Sequence, residues 1–172
     1  MDIFSSSKKT CNNVFCLPEF LTKQIDIWLK KFPPDQKRSA VIPALRICQD
    51  YNGGFLNMAY IESVALYLKL PKISVYEVAT FYSMFELNPV GRNKICVCTN
   101  VSCMINGSNK ILEHLKKRLG VNINEVTPDG KYMYKQVECL AACGGAPVIY
   151  LNNMYYENLD IEKLDKILDS LE

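Results

Sequence analysis

Apolar residues recur at the 3.6-residue spacing of amphipathic helices throughout the first half of the chain. Four segments between residues 17 and 87 show this spacing. We therefore predict a small helical bundle over residues 17–89, preceded by an extended or disordered tail over residues 1–16. The segments are separated by residues that terminate helices, namely Pro33, Pro34, Gly53, Gly54 and Pro71.

The starts of three of these helices can be predicted from individual residues. Pro43 lies within the second apolar segment and indicates either a kink or a late helix start. Asn57 is an N-cap residue type and stands ahead of the third helix. Ser74 and Glu77 form a Ser-x-x-Glu capping box, which predicts the start of the fourth helix. The apolar stripe predicted for that helix consists of Val75, Val78, Phe81, Tyr82 and Phe85.

The periodicity changes at the turn residues 88–91, which we take as a domain boundary. Beyond it, short alternating or apolar runs predict the strands KICVC, KYMYKQVE, PVIYL and MYYE. Helical spacing returns in NGSNKILEHLKKRLG and in DIEKLDKILDSL. The order β-α-β, hairpin, α is typical of a thioredoxin-like α/β layer. The predicted fold class is thus α+β or α/β, with the helical bundle followed by a thioredoxin-like domain over residues 90–172.

Composition and charge exclude several classes of function. Twenty Lys and Arg against eighteen Asp and Glu leave a net charge of +2, too small and too dispersed for a nucleic-acid-binding surface. The run Lys116, Lys117, Arg118 fits an ordinary solvated helix face. No apolar stretch approaches the roughly 18 residues of a membrane-spanning helix, and MDIFSSSKKT lacks the apolar segment of a secretory signal. We expect no direct membrane span.

Two pairs of cysteines each follow a predicted strand. Cys98 and Cys103 are separated by four residues, and Cys139 and Cys143 by three. If the two strands are neighbours in one sheet, both loops leave the same edge and the four thiols converge. Eight cysteines in 172 residues are too few for a disulfide scaffold, so clustered cysteines favour metal ligands or catalytic thiols in a reducing compartment.

Spacing alone does not choose between two metals. Four cysteines at these intervals suit a structural zinc, and they equally suit a [2Fe-2S] cluster with two cysteines on each iron. The second pair is followed by the small residues of the segment 144–147, Gly-Gly-Ala-Pro. Such residues allow backbone N–H groups to approach the sulfurs and tune a reduction potential, although a plain tight turn would explain them as well.

The residue types in the chain argue against other redox sites. The chain has one histidine, His114, so a Rieske centre with two histidine ligands is impossible, and we interpret His114 as an ordinary surface residue. No Cys-x-x-Cys occurs, which argues against a dithiol oxidoreductase. No Gly-x-Gly-x-x-Gly and no P-loop occur either, so electrons would have to be exchanged with another protein.

At this point several stretches carry a resemblance to a known family. ECLAACGGAPV, CTNVSC about 35 residues earlier, and YEVATFYSMFELNPVGRNKICVCTN across the domain junction resemble the thioredoxin-like [2Fe-2S] ferredoxin family, the E subunit of NADH:quinone oxidoreductase (complex I). The likeness continues through RSAVIPALRICQDYNGGFL and NNMYYENLDIEKLDKIL. It covers nearly everything beyond residue 16, and this breadth favours iron–sulfur over zinc.

The resemblance implies a ligand set and a role. Cys98, Cys103, Cys139 and Cys143 match the four cluster-binding positions, with the first pair expected on one iron and the second on the other. The chain would be an electron-transfer component of a proton-translocating NADH dehydrogenase (quinone), with no complete active site of its own. Its expected partners are the flavin- and NADH-binding subunit, which carries FMN and NADH, and other subunits of the peripheral arm. The cluster would take an electron from reduced flavin as a side store.

Further expectations follow from the resemblance. The ATFYSMF segment is expected to pack against the cluster domain or a neighbouring subunit. A related NAD-linked hydrogenase or formate dehydrogenase uses the same module and is the alternative assembly. The family commonly has a polar residue where this chain has Gly144 or Gly145, so we expect a different potential with the same ligation.

The remaining cysteines and the compartment complete the set of predictions. We interpret Cys96 as a buried thiol beside the site and Cys48 as a core residue on an apolar helix face. Cys11 and Cys16 repeat the four-residue gap of Cys98 and Cys103 but have no second pair nearby, so a metal there is not expected. The N-terminus has an Asp and no Arg, which favours the cytoplasmic side of a bacterial inner membrane over the mitochondrial matrix.

Overall fold

The computed structural model describes residues 10–11 and 14–171. The chain divides into two compact units, one ending at Pro89 and the other beginning at Val90. Each unit has its own apolar core. None of the helices in the described residues is both long and apolar enough to cross a membrane.

The first unit is helical, with one short antiparallel strand pair ahead of the helices. Its core is built from one face of each helix, and Phe15 packs against this core. The ring of Phe15 contacts the ring of Tyr60 edge to face, with centroids 4.8 Å apart. The elements are β1 Thr10–Cys11, β2 Val14–Phe15, α1 Glu19–Leu29, α2 Val41–Tyr51, α3 Met58–Leu68 and α4 Lys72–Phe81. A short 3-10 helix, Lys37–Ala40, leads directly into α2.

Two helix starts follow the local signals in the sequence. Pro43 lies in the first turn of α2, where a missing N–H breaks no intrahelical hydrogen bond, so the late start is confirmed. Asn57 caps α3 by accepting a hydrogen bond at Oδ1 from the backbone N–H of Tyr60, 3.1 Å away. Ile61, Ala65 and Leu68 face the core from α3, as their spacing predicts.

The prediction for the fourth helix is partly wrong. The helix α4 begins at Lys72, two residues before Ser74, and neither Ser74 nor Glu77 caps it. It also ends at Phe81, whose side chain is 80% exposed. Pro71 fixes the start, because its locked φ suits the residue before the first helical turn. The apolar stripe therefore does not extend along one helix to Phe85.

The second unit contains a four-stranded mixed sheet in the order β4-β3-β5-β6. The strands are β3 Asn93–Cys98, β4 Tyr132–Val137, β5 Ile149–Leu151 and β6 Met154–Tyr156. β3 and β4 run parallel, whereas β5 is antiparallel to both β3 and β6. Asn152 and Asn153 adopt positive φ angles of 48° and 65°, which lets a two-residue turn join β5 to β6.

Three helices complete this unit: α5 Val101–Ile105, α6 Ser108–Leu119 and α7 Ile161–Ser170. α6 connects the parallel strands β3 and β4, and both α6 and α7 contribute residues to the core of the sheet. Leu164 and Leu168 of α7 are buried as predicted, but Ile161 is exposed because α7 begins there. The predicted α+β class and thioredoxin-like arrangement are confirmed.

The run Lys116, Lys117 and Arg118 is exposed, as predicted, but His114 is partly buried and makes a specific contact that the interpretation as an ordinary surface residue does not include. His114 Nε2 lies 2.8 Å from Asp165 Oδ1, and Arg118 Nη1 donates to the same oxygen at 2.7 Å. Arg118 also donates to Asp169. These contacts join α6 to α7 across about 50 residues of sequence, a separation that helical periodicity does not report.

We expect Asp165→Asn to destabilise the protein at neutral pH more than at acidic pH. The hydrogen bond with His114, then the charges of His114 and Arg118, hold the pKa of Asp165 below its usual range. Its stabilising contribution is therefore complete above the unfolded-state pKa of about 4 and is lost as the pH falls through the lower folded-state pKa. Thermal unfolding of both proteins between pH 7 and pH 3 measures this.

The control is Glu162→Gln, an exposed carboxylate on the same helix. A difference between Asp165→Asn and the unmodified protein that stays constant over this pH range would contradict the assignment.

Candidate metal centre

The parallel strands β3 and β4 bring two cysteine-bearing loops to one edge of the sheet. Cys98 is the last residue of β3 and pairs in register with Val137, the last residue of β4. The ladder continues for one more step, because the backbone N–H of Thr99 donates to the carbonyl of Val137 at 3.1 Å. Both loops therefore leave the sheet side by side.

The first loop is a short helix that the sequence pattern does not predict. Asn100 caps α5 by accepting a hydrogen bond at Oδ1 from the N–H of Val101, 2.8 Å away. The turn of α5 buries Cys103, which is 1% exposed. The N-cap residue type at position 100 is the one signal for this helix, because five residues are too few to show helical periodicity.

The second loop wraps around its own first cysteine. The backbone N–H of Ala141 donates to Cys139 Sγ at 3.2 Å, and Ala141 adopts the left-handed conformation at φ 56°. The loop then enters a 3-10 turn over Cys143–Gly145. It is tied to α5 by a hydrogen bond of 3.4 Å from Ser102 Oγ to the carbonyl of Cys143.

The structure places the four cysteines of the two loops together. The thiols influence one another's ionisation: Cys103 and Cys139 lower the pKa of Cys98, whereas Cys98 and Cys143 raise the pKa of Cys103. Cys98 and Cys103 are buried against Val148, whereas Cys139 and Cys143 are exposed. One half of the site thus faces the protein interior and the other half faces solvent.

The surroundings act in opposite directions on the two buried thiols. Burial alone raises the pKa of Cys98, but hydrogen bonds from the backbone of Asn100, from Cys103, from the backbone of Leu140 and from Cys139 together hold this pKa below its usual value. Burial, followed by the hydrogen bond to Cys98, raises the pKa of Cys103. The surroundings therefore favour the thiolate form at Cys98 more than at Cys103.

The chemistry of this donor set fits a [2Fe-2S] cluster, which takes four thiolates in two pairs, one pair on each iron. The two loops supply two such pairs, from one edge of the sheet. Backbone N–H groups accompany sulfurs of both loops, at Asn100 and at Ala141, and hydrogen bonds of this kind stabilise anionic sulfur. Among the residues that the structure describes, no three His, Cys, Asp or Glu side chains are arranged to hold a single metal ion.

Gly144 and Gly145 differ in their surroundings, although both follow the last cysteine of the site. A Cβ built on Gly144 would meet nothing within 4 Å. A Cβ built on Gly145 would lie 2.6 Å from Cβ and 2.7 Å from Cδ of Glu157. Of the two glycines, only Gly145 stands where an added side chain would meet a neighbour, namely Glu157, and no sequence motif marks that pairing.

The remaining cysteines lie in three different settings. Cys96 is buried in β3, and Cys48 is buried in the core of the helical unit, as predicted for both. Burial raises the pKa of Cys48 to about 12. Cys16 is partly buried, and the side chain of Cys11 lies outside the described residues.

Comparison with protein-family models identifies the fold and the cluster type together. The model described as thioredoxin-like [2Fe-2S] ferredoxin matches residues 25–172, which includes both cysteine loops. The chain belongs to this family. The family predicted from the sequence is therefore confirmed.

Curated relatives of the chain share one name. A Rickettsia bellii protein, named as the E subunit of NADH-quinone oxidoreductase, is 48% identical over 143 residues, covering 83% of this chain and 86% of that protein. The protein of the same name from Rickettsia typhi is 42% identical and covers 94% of this chain and 95% of its own length. A Rhizobium meliloti protein, whose name adds the number 2, is 41% identical over 150 residues, 87% of this chain and 88% of that protein.

Solved structures show similarity of fold at low sequence identity. An NAD⁺-reducing [NiFe]-hydrogenase in the H₂-reduced state aligns with a TM-score of 0.59 at 20% identity. The aligned region covers 65% of this chain and only 19% of the hydrogenase chain. At this identity the match supports the fold, and it does not distinguish one assembly from another.

In the metal-free, reduced protein we expect the cysteines to differ strongly in their rate of alkylation. Cys139 and Cys143 are exposed and should react first, whereas the buried Cys48, with a pKa of about 12, should react at least about a hundredfold more slowly at pH 8. Timed labelling with iodoacetamide, followed by mass spectrometry of peptides, measures each site. Equal rates at Cys48 and Cys143 would contradict the burial described for the helical unit.

Proposed function

We propose that this chain is the iron–sulfur electron-transfer component, the E subunit, of an NADH:quinone oxidoreductase, and that its four convergent cysteines hold one [2Fe-2S] cluster. The observation that carries the proposal is the convergence of Cys98, Cys103, Cys139 and Cys143 at one edge of a thioredoxin-like sheet. The shared name of relatives that are 42–48% identical over most of the chain supports the assembly.

Each loop has a distinct part in ligation. Cys98 and Cys103 would hold one iron and Cys139 and Cys143 the other. When bound, a [2Fe-2S] cluster accepts and returns one electron. The burial of Cys98 and Cys103 excludes water from the inner half of the site, while the Ala141 N–H at 3.2 Å from Cys139 Sγ stabilises charge on that sulfur.

The electron comes from another protein. The chain contains no nucleotide-binding motif, and its cysteine site is exposed only at Cys139 and Cys143. A redox partner must therefore approach the outer half of the site. We assign this partner as the flavin- and NADH-binding subunit of complex I, with FMN and NADH bound there, and with other subunits of the peripheral arm around it. The assembly would lie on the cytoplasmic side of a bacterial inner membrane.

The related hydrogenase or formate dehydrogenase module remains the alternative assembly. Structural similarity to a hydrogenase rests on 20% identity, whereas the similarity to NADH-quinone oxidoreductase subunits reaches 48%. The higher identity favours complex I, because a similarity that shows only the fold does not indicate which function that fold carries.

We expect Cys98→Ser to abolish or strongly perturb the visible absorption of the anaerobically purified protein. Serine replaces a buried thiolate ligand with a hydroxyl, which is a poor ligand for iron–sulfur clusters. Iron content, acid-labile sulfide and the absorption spectrum measure the effect. The matched control is Cys96→Ser, two positions earlier in the same strand and also buried, which should leave the spectrum and the iron content unchanged.

Equal effects of the two substitutions would show that the ligand set is wrong. A colourless, zinc-containing unmodified protein without labile sulfide would overturn the iron–sulfur assignment itself.

We expect NADH to reduce the cluster only in the presence of the flavin-bearing partner. With the isolated chain, NADH should leave the visible spectrum unchanged, because no hydride-accepting group is expected on it. With the co-expressed partner subunit, NADH should bleach the cluster bands. Bleaching of the isolated chain by NADH would contradict the proposal that the hydride-accepting flavin lies on the partner subunit.

A further inference from the structure

Glu157 is held against the second cysteine loop by the backbone on its C-terminal side. It follows β6 directly, and the next two residues hydrogen-bond to the loop. The N–H of Asn158 donates to the carbonyl of Gly145 at 2.6 Å, and the N–H of Leu159 donates to the carbonyl of Pro147 at 3.1 Å. The position of Glu157 beside the loop is therefore fixed by the fold.

The side chain of Glu157 lies on Gly145 itself. A Cβ on Gly145 would stand 2.6 Å from Glu157 Cβ and 2.7 Å from Cδ, and it would also clash with the carboxylate oxygen Oε2. Gly145 is buried, whereas Glu157 is exposed. The carboxylate thus covers the loop from outside, in space that any larger residue at position 145 would occupy.

This contact lies on the loop that carries Cys139 and Cys143. Gly145 stands two residues after Cys143. The next residue, Ala146, packs against the buried group formed by Cys98, Cys103 and Val148. A charge on Glu157 therefore lies just outside the cluster-binding loop, separated from it by a residue that has no side chain.

No cation neutralises this carboxylate within the part of the chain that the structure describes. The nearby Lys163 donates to the carbonyl of Asn158 at 2.7 Å and forms its ion pair with Asp160, at 4.0 Å. Glu157 has no hydrogen bond or ion pair of its own among those residues. Among the described residues its charge has no paired cation, and solvent screens it.

We propose that Glu157 lowers the reduction potential of the bound cluster through the charge of its carboxylate. The inference rests on the proposed function, since it presupposes the cluster. Reduction adds one negative charge to the site, and a carboxylate beside the loop disfavours that charge by Coulomb repulsion. Solvent screens an exposed group, so we expect a modest effect.

The test is a redox titration of the holoprotein and of Glu157→Gln, followed by electron paramagnetic resonance. Glutamine keeps the shape that packs on Gly145 and removes the charge. We expect a more positive midpoint potential, equivalent to roughly a threefold higher ratio of reduced to oxidised cluster at a fixed potential, on the order of 30 mV for a one-electron couple. Iron content and visible spectrum should stay unchanged.

Three comparisons separate charge from packing. Glu113→Gln, which removes an exposed carboxylate in the middle of α6, should leave the potential unchanged. Glu157→Lys should raise the potential beyond the value for Glu157→Gln. The shift in both Glu157 variants should shrink at high ionic strength, because salt screens charge and does not affect packing.

An unchanged potential in Glu157→Gln would overturn the proposal. Loss of iron from both Glu157 variants would also overturn it, because the side chain would then act by packing on Gly145. Failure of the proposed function looks different, since the unmodified protein itself would then lack iron and labile sulfide.

Discussion

The parallel pairing of β3 with β4 is the constraint on which the rest of the site depends. Parallel strands leave a sheet in the same direction, so the loops after Cys98 and Val137 begin side by side. An antiparallel pairing would send the two loops to opposite ends of the sheet. The parallel arrangement requires a crossover, and α6 provides it. The ion pairs and hydrogen bonds of α6 with α7 at Asp165 therefore stabilise the connection that brings the cysteines together.

The site is divided between an inner and an outer half, and this division suits electron exchange with a partner. Cys98 and Cys103 pack on Val148, and the N–H of Cys98 donates to the Val148 carbonyl at 3.1 Å. That half is fixed by the sheet. Cys139 and Cys143 lie in an exposed loop, whose backbone folds around its own sulfur at Ala141. Under the proposed ligation, the inner half would be held by the sheet, while the exposed half would leave a short path to another protein.

Features encoded by neighbouring residues were predictable, and features made by distant contacts were not. The Asn57 cap, the late start of α2 at Pro43 and the strands of the sheet all follow from local residue types. The Ser74 capping box failed because Pro71 starts the helix earlier. The contact of His114 with Asp165, and that of Gly145 with Glu157, join residues that no periodicity relates. The thioredoxin-like class needed only element order, whereas the choice of iron over zinc needed the resemblance of the whole chain.

Gly145 shows why a glycine beside a ligand cannot be interpreted from sequence alone. A plain turn and a close approach of backbone N–H groups to sulfur both accounted for the Gly-Gly pair. The structure distinguishes the two glycines, because Gly144 faces open space and Gly145 faces the Glu157 side chain. A residue with a side chain at position 145 would displace that carboxylate from the loop. Gly145 and Glu157 are thus coupled. Because Gly145 has no side chain, the Glu157 carboxylate can lie against the cysteine-bearing loop.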